Sequence, residues 1–301
     1  MKNFTFVNLF IFSILLLSPS IVMAEIETQA DLVNDIYGKA KVPTYLVAEF
    51  PSGKIIAGKN IDAPNQIASL TKLVTAYTAR AEKLNLEKSI LFQKKKFSTG
   101  IVPKKAFRFS ENEAILNKDV LELMLVISNN SASRMLALAT GLKEKDFIKK
   151  MNQNVVELGM NNTFLFDTSG LNNKNVSTAR DMLTIFMADL ADPELFSALG
   201  QTVYTFQSKL GKKSVNHTIH SSNLIPNLYK NLNYNILASK TGYSGKVSSM
   251  AMLVKNKSKN KQYIVITLGN PNYNKRFLAP HEIAKWIGTK HFSDLLAADI
   301  Q

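Results

Sequence analysis

Cysteine is absent from all 301 residues. That excludes a disulfide scaffold, a zinc site built on thiolates and a thiol nucleophile. Serine, threonine, lysine, histidine and carboxylates are left to carry any chemistry. Histidine is scarce as well, with only His217, His220, His281 and His291. None of them stands in an H-E-x-x-H arrangement, so neither a metal nor another cofactor is expected, and His217 and His220 read as surface side chains. Acidic residues are in short supply, 23 against 37 Lys plus Arg, for a net charge of +14. The excess sits in clusters at Lys94-Lys95-Lys96, Lys104-Lys105, Lys143 to Lys150 and Lys255 to Lys261. These read as solvated faces, with attraction to an anionic polymer or membrane surface as the sharper alternative. Basic motifs interleaved with aromatics are missing, which argues against a nucleic-acid partner.

Long apolar runs are confined to the beginning of the chain. Lys2 precedes the stretch Leu9 to Leu17, and Val22-Met23-Ala24 reads as a signal-peptidase site with cleavage after Ala24. Pro19 and an apolar core well short of the roughly 20 residues of a spanning helix argue against a retained anchor. The chain is therefore expected to be exported, and the lack of disulfides suits a bacterial periplasm. The whole sequence is 46% hydrophobic and 20% charged, a balance that supports a packed core and argues against disorder.

Periodicity predicts a short amphipathic helix over 29–41, then a hairpin of Thr44–Phe50 and Lys54–Gly58 around Pro51-Ser52-Gly53. A helix is expected from Ser69 to about Glu82, and loop with short strands over 86–110. Helices follow at Asp119–Ser128, Ala132–Thr140, Glu144–Leu158 and Thr178–Leu190. Strand patterns return at Thr202–Gln207, Ile236–Thr241, Ser248–Val254 and Gln262–Leu268, before a helix over 275–288. Strands at both ends around inserted helices predict an α+β fold: an antiparallel sheet flanked by helices, with a helical lobe. A single domain over 25–301 is expected, its sheet lobe at about 25–68 and 201–301 and its helical lobe at about 69–200.

Three short motifs carry chemistry. Ser69-Leu70-Thr71-Lys72 opens a predicted helix, where residues three apart share a face, so the Ser69 hydroxyl and the Lys72 amine converge. A serine is a weak nucleophile until a base takes its proton, and a lysine serves if burial and nearby cations lower its pKa. Ser128-Asn129-Asn130 follows a predicted helix and offers a hydroxyl and an amide on one turn. Lys240-Thr241-Gly242 ends a predicted strand, where the glycine is expected to let a substrate backbone approach.

The order and setting of these motifs resemble the penicillin-recognising serine enzymes. The sequence looks like a low-molecular-mass penicillin-binding protein, a serine-type D-alanyl-D-alanine peptidase, and is most similar to the short D-alanyl-D-alanine endopeptidase branch. The likeness extends to Gln66-Ile67-Ala68, Leu158 to Thr163 with Phe166, Gly170-Leu171 and Val176 to Asp181, which read as scaffold. It implies a β-lactamase/transpeptidase-like fold acting on peptidoglycan stem peptides, with β-lactams as covalent inhibitors. Ser69 would form an acyl-enzyme and Lys72 would be the general base, its ammonium disfavoured by the Lys240 charge. Ser128 would relay a proton to the leaving amine, and Asn130 would hold Lys72 and the substrate amide. The N–H groups of Ser69 and Tyr243 would form the oxyanion hole. Lys240, Thr241, Gly242 and Tyr243 would bind substrate, and Arg276 matches a family position that contacts a substrate carboxylate.

Some positions depart from the family pattern. Asn129 is not expected to be catalytic, and Tyr243-Ser244 replaces an aromatic-Thr pair. Only Lys290 to Gln301 follow the last helix, where Asp294 and Asp299 make a poor membrane anchor. Alternatives that share the motifs are a D-alanyl-D-alanine carboxypeptidase, a β-lactamase using Glu157 for deacylation, and an inactive murein-binding domain. Glu157 is read as solvent-facing.

Overall fold

The computed structural model describes residues 42–98, 107–271, 276–287 and 289. The expected signal peptide, the helix over 29–41, Lys104-Lys105, residues 274 and 275, and His291 lie outside the described residues. β1 (Thr44–Phe50) and β2 (Ile55–Lys59) form the expected antiparallel hairpin. After β3 (Asn65–Gln66), one 3-10 turn over Ala68–Leu70 runs directly into α1 (Thr71–Ala81). β4 (Ser89–Leu91), a short α2 (Lys94–Phe97) and β5 (Glu113–Leu116) lead into the helical region. There α3 (Asn117–Val126), α4 (Asn130–Ala139) and α5 (Glu144–Glu157) follow one another. β6 (Val176–Ser177) precedes α6 (Ala179–Ala191) and α7 (Pro193–Gly200). The chain returns through β7 (Val203–Leu210), β8 (Lys213–His220) and a short α8 (Ile225–Leu228). It continues in β9 (Tyr234–Tyr243), β10 (Ser248–Asn256), β11 (Gln262–Asn270) and α9 (Leu278–Ile287).

The main sheet has the order β2-β1-β11-β10-β9 and is antiparallel throughout. Its central strands are buried on both faces, so alternate side chains feed two separate cores. Leu46, Ala48, Ala251, Leu253, Ile264 and Ile266 pack toward the helical lobe. Tyr45, Val47, Met250, Met252, Tyr263 and Val265 pack on the other face with Ile283, Ala284 and Trp286 of α9. This is the α+β architecture read from the sequence, with helices on both faces of one antiparallel sheet.

A second sheet departs from expectation. Residues 203–220 do not join the main sheet but form a hairpin that pairs with β5 in the order β4-β5-β7-β8. The strand β8 went unread because Val215, His217 and Ile219 alternate with polar residues and only two of the three are apolar. His217 is accordingly half-buried and not a free surface side chain: its Nε2 lies 2.7 Å from the buried Glu113 carboxylate and its ring stacks on Phe206. His220 is exposed, as expected, while His281 is buried against the Tyr234 hydroxyl at 2.8 Å.

α1 is buried almost all round, its Thr71, Leu73, Val74, Thr75, Ala76, Thr78 and Ala79 all enclosed. A helix of this kind belongs at the centre of a bundle, and its small residues let α3, α4, α5 and α6 close around it. Caps fix where the neighbours begin. Asn129 accepts the Ala132 N–H at 2.9 Å to start α4, and Thr178 accepts the Asp181 N–H at 3.1 Å to start α6. Asp192 with Pro193 does the same for α7.

One core residue carries a strain unrelated to the chemical motifs. Asp189 on α6 is fully buried, and neither carboxylate oxygen has a hydrogen-bond partner among the described residues. Burial, reinforced by the Asp192 charge, holds its carboxyl well above the ordinary aspartate value. A carboxyl raised in the folded state binds its proton more tightly there than when unfolded. Its contribution is therefore fully present in acid and is lost as pH rises above the ordinary value. Asp189→Asn keeps the shape and removes the titration. Urea unfolding between about pH 5 and about pH 8 is expected to show the variant losing at least about 1 kcal/mol less stability than the parent. Identical pH slopes would refute this account of Asp189.

Candidate active site

Ser69 lies in the 3-10 turn that opens α1, one residue after Ala68, whose φ of 46° is left-handed. An alanine is held in that region only where its surroundings over-determine it. The Ala68 carbonyl accepts the Thr71 hydroxyl at 2.8 Å, and Asn175 Nδ2 donates to Thr71 Oγ1 at 3.0 Å. Gly170 closes the turn from outside. Its own φ is +85°, and a Cβ there would collide with the Ala68 carbonyl and lie 2.9 Å from the Ser69 nitrogen. Only glycine fits that contact.

Three residues on, Lys72 is 0% exposed inside the helical lobe. Its Nζ lies 3.0 Å from Ser69 Oγ, 2.7 Å from Asn130 Oδ1 and 2.6 Å from the Ser169 carbonyl. An ammonium has three N–H donors, and here each has one acceptor from a different segment. Burial nevertheless lowers the Lys72 pKa to about 7, with the Asp167 carboxylate pulling the other way.

The loop supplying the Ser169 carbonyl is built around Asp167. That carboxylate accepts the N–H groups of Ser169 at 2.7 Å and Gly170 at 2.6 Å, and also that of Asn172. Gly170-Leu171 therefore does more than serve as scaffold, because its loop aims a carbonyl at Lys72. The signal in the sequence is Asp167-Thr168-Ser169-Gly170, an aspartate three residues before a glycine that adopts positive φ.

Ser128 and Asn130 sit at the break between α3 and α4. Ser128 is left-handed at φ 60°, and its buried hydroxyl has no hydrogen-bond partner among the described residues. Asn129 turns its side chain back to cap α4.

The third motif lies on β9, the edge strand of the main sheet. Lys240 is 1% exposed, and its Nζ donates to the Thr241 carbonyl at 3.0 Å. Thr241 Oγ1 lies 2.7 Å from Ser222 Oγ, a residue that sequence reasoning missed. Gly242 meets a packing requirement as well. A Cβ there would come within 2.8 Å of the Ile67 carbonyl and 3.5 Å of the Leu70 nitrogen. The missing side chain lets the turn bearing Ser69 pack on β9. Tyr243 is partly exposed, with the Arg276 guanidinium 5.9 Å from its ring centre and 4.6 Å from that of Phe277.

Burial is the main cause that lowers the pKa of both lysines, and the charge of Lys72 adds to it at Lys240, which lies well below the ordinary lysine value. Glu157 is exposed at the end of α5, as read from the sequence.

Residues 30–272 match the D-alanyl-D-alanine carboxypeptidase family. The chain is 28% identical over 235 residues to the D-alanyl-D-alanine endopeptidase of Haemophilus influenzae, covering 77% of this chain and 76% of that one. It is 28% identical over 247 residues to the D-alanyl-D-alanine endopeptidase of Escherichia coli, covering 81% of this chain and 76% of that one. Among solved structures, a mutant of the Streptomyces K15 DD-transpeptidase superposes with a TM-score of 0.72 at 20% identity, over 84% of this chain and 98% of that one. A hydroxyl, a buried lysine, an amide and an edge strand thus meet on the fold of the DD-peptidases, and the chain belongs to the D-alanyl-D-alanine carboxypeptidase family of serine peptidases.

Proposed function

We propose that this protein is an exported, periplasmic serine DD-peptidase that opens cross-links between peptidoglycan stem peptides, residues 1–24 being a signal peptide. The observation that carries the chemistry is the approach of a fully buried lysine, with its charged form disfavoured, to a serine hydroxyl at 3.0 Å. In its neutral form the amine of Lys72 keeps two N–H groups for Asn130 Oδ1 and the Ser169 carbonyl. Its lone pair is then left to accept the Ser69 proton. Ser69 Oγ attacks the D-alanine carbonyl, and the developing oxyanion is held by the N–H groups of Ser69 and Tyr243. The packing of Gly242 on the Ile67–Leu70 turn supports that pairing by keeping the two segments in contact. The C–N bond breaks as the amine leaves with a proton relayed through Ser128, whose hydroxyl has no competing partner among the described residues. Water then attacks the acyl-enzyme, Lys72 again taking the proton, and releases the acid with Ser69 restored.

Substrate is held along β9 as an added strand, with Thr241 and Lys240 at its carboxylate. That carboxylate supplies Lys240 with a counter-charge. Arg276, beside Tyr243, gives a second cation at the same end. Cleavage of cross-links is favoured because the Haemophilus influenzae and Escherichia coli relatives described above are named D-alanyl-D-alanine endopeptidases. Trimming of a terminal D-alanine is the second reading, favoured by the description of the family itself. Rapid hydrolysis of β-lactams is disfavoured: Glu157 is exposed, and the Asp167 carboxylate is committed to backbone N–H groups. β-Lactams are therefore expected to remain as covalent inhibitors on Ser69.

A fluorescent penicillin is expected to label wild-type protein and not Ser69→Ala; an unlabelled, folded wild type would sink the proposal. Digestion of purified muropeptides separates the two activities. Loss of dimers with retention of monomer pentapeptide supports endopeptidase action, and the reverse pattern supports carboxypeptidase action. The acylation rate should rise with pH through about 7, following the Lys72 amine. Lys72→Arg should lower it by about 10²–10⁴-fold, because guanidinium does not give up its proton. Lys240→Arg should be at least about tenfold less damaging, since it keeps the charge that meets the substrate. Acylation by Lys72→Arg at near wild-type rates would overturn the assignment of the base. Gly170→Ala should lower stability by more than about 2 kcal/mol and slow acylation, readable from a melting curve and the same labelling assay.

A further inference from the structure

A cavity of about 730 Å³ lies beside β9, outside the cluster around Ser69. One wall is the outer edge of β9 from Tyr234 to Ser239, and the rest comes from the end of α7 and from the connection between β8 and β9. Ser239 directly precedes Lys240, so the cavity begins where the catalytic end of the strand stops. Five residue steps of about 3.3 Å give it a length of about 17 Å along the strand, enough for several residues of extended chain. Its upper limit is a pair of hydrogen bonds that pin the β8–α8 connection to β9. Ser222 Oγ meets Thr241 Oγ1 at 2.7 Å, and Asn223 Nδ2 donates to Ser239 Oγ at 3.0 Å.

The chemistry of the lining is one-sided. It contains Lys230 and Lys257, several side-chain amides including Asn231 and Asn235, and no aspartate or glutamate among the described residues. Regular strand addition is not available there. The β9–β10 ladder shifts register at Leu237, and a Cβ at Gly200 would lie 2.8 Å from the Leu237 carbonyl, so the end of α7 already covers that part of the edge. A ligand here is recognised by amide hydrogen bonds and by charge. One face of the Tyr229 ring is stacked on His281, with centroids 3.7 Å apart, so that face is taken. That favours a peptide over a sugar needing a free aromatic platform.

From this combination we infer that the cavity is a second binding site, taking the acidic, amide-rich stem peptide beyond the residues held at Lys240-Thr241-Gly242. The inference rests on the DD-peptidase reading for the identity of the chain and on the cavity itself for its chemistry. A stem peptide carries free carboxylates at its γ-linked glutamate and its diamino acid, which answer two lysines in a wall without acids. A cross-linked substrate would then be held at two points, whereas a small β-lactam touches only the first.

The test compares wild type with the double variant Lys230→Glu/Lys257→Glu, two exposed positions where a folded variant is expected. The probe for direct binding is L-alanyl-γ-D-glutamyl-diaminopimelate, which lacks the D-alanine that the catalytic residues act on. Charge reversal should weaken its dissociation constant at least about fivefold and lower kcat/KM on a cross-linked muropeptide dimer by a similar factor. The rate of fluorescent penicillin acylation should be unchanged. Equal binding of the tripeptide by both proteins, or no binding by wild type, would overturn the inference. So would acylation that falls in step with dimer cleavage. Failure of the DD-peptidase reading shows separately, as absence of penicillin acylation in wild type, while the tripeptide measurement still stands or falls on the two lysines.

Discussion

An ammonium group held without solvent contact inside a helix bundle sets the terms for everything around it. Moving such an ion out of water costs several kcal/mol even after the protein relaxes. Lys72 is tolerated because three oxygen acceptors converge on it from the Ser69 turn, from Asn130 and from the Ser169 loop. Each acceptor depends on a backbone feature elsewhere. The turn needs a left-handed Ala68 sealed by Gly170, Asn130 needs the Asn129 cap, and the Ser169 carbonyl needs the Asp167 cage. The small side chains of α1 bring these segments within reach. Catalytic geometry and the packing of the helical lobe are therefore the same set of contacts.

The second lysine shows why acceptors matter more than proximity of charge. Lys240 is as deeply buried as Lys72, yet among the described residues its amine has one hydrogen bond, to the Thr241 carbonyl. Burial and the neighbouring charge act on it together and hold its pKa well below the ordinary lysine value. In the proposed mechanism a substrate carboxylate beside Lys240 favours its charged form. Recognition of a carboxylate is thereby built into the protonation of the site and not only into its shape.

The motifs were legible in the sequence because their chemistry sits in side chains at short spacing. Ser69 with Lys72, Ser128 with Asn130, and Lys240 with its two followers each announce a local geometry, and the folded chain brings the three together. The main sheet was legible for a related reason, since Val-, Ile- and Leu-rich runs long enough for buried strands are hard to read otherwise. What escaped notice is made of backbone and of long-range pairing. The Ser169 carbonyl carries no side-chain signature, and the role of Gly242 depends on which segment lies across from it. β8 hides its strand period behind His217, whose partner Glu113 lies 104 positions away. The origin of the Lys72 shift is equally non-local, because burial is a property of the closed bundle.

The edge of β9 links the catalytic proposal to the cavity beside it. An unpaired edge strand invites aggregation, and proteins blunt such edges with bulges, charges or covering elements. Here the lower half of β9 is bulged at Leu237 and covered by the end of α7, while the upper half leads to Lys240-Thr241-Gly242. A peptidase that reads an extended peptide needs unpaired main-chain groups at its catalytic strand, so covering the edge along its whole length would remove the function. Covering it only below Ser239 keeps the opening for substrate next to Ser69. The same covering leaves, between α7 and β9, the space that the two lysines and the amides line. The cavity is thus what remains when one edge strand must be protected along half its length and left open along the other.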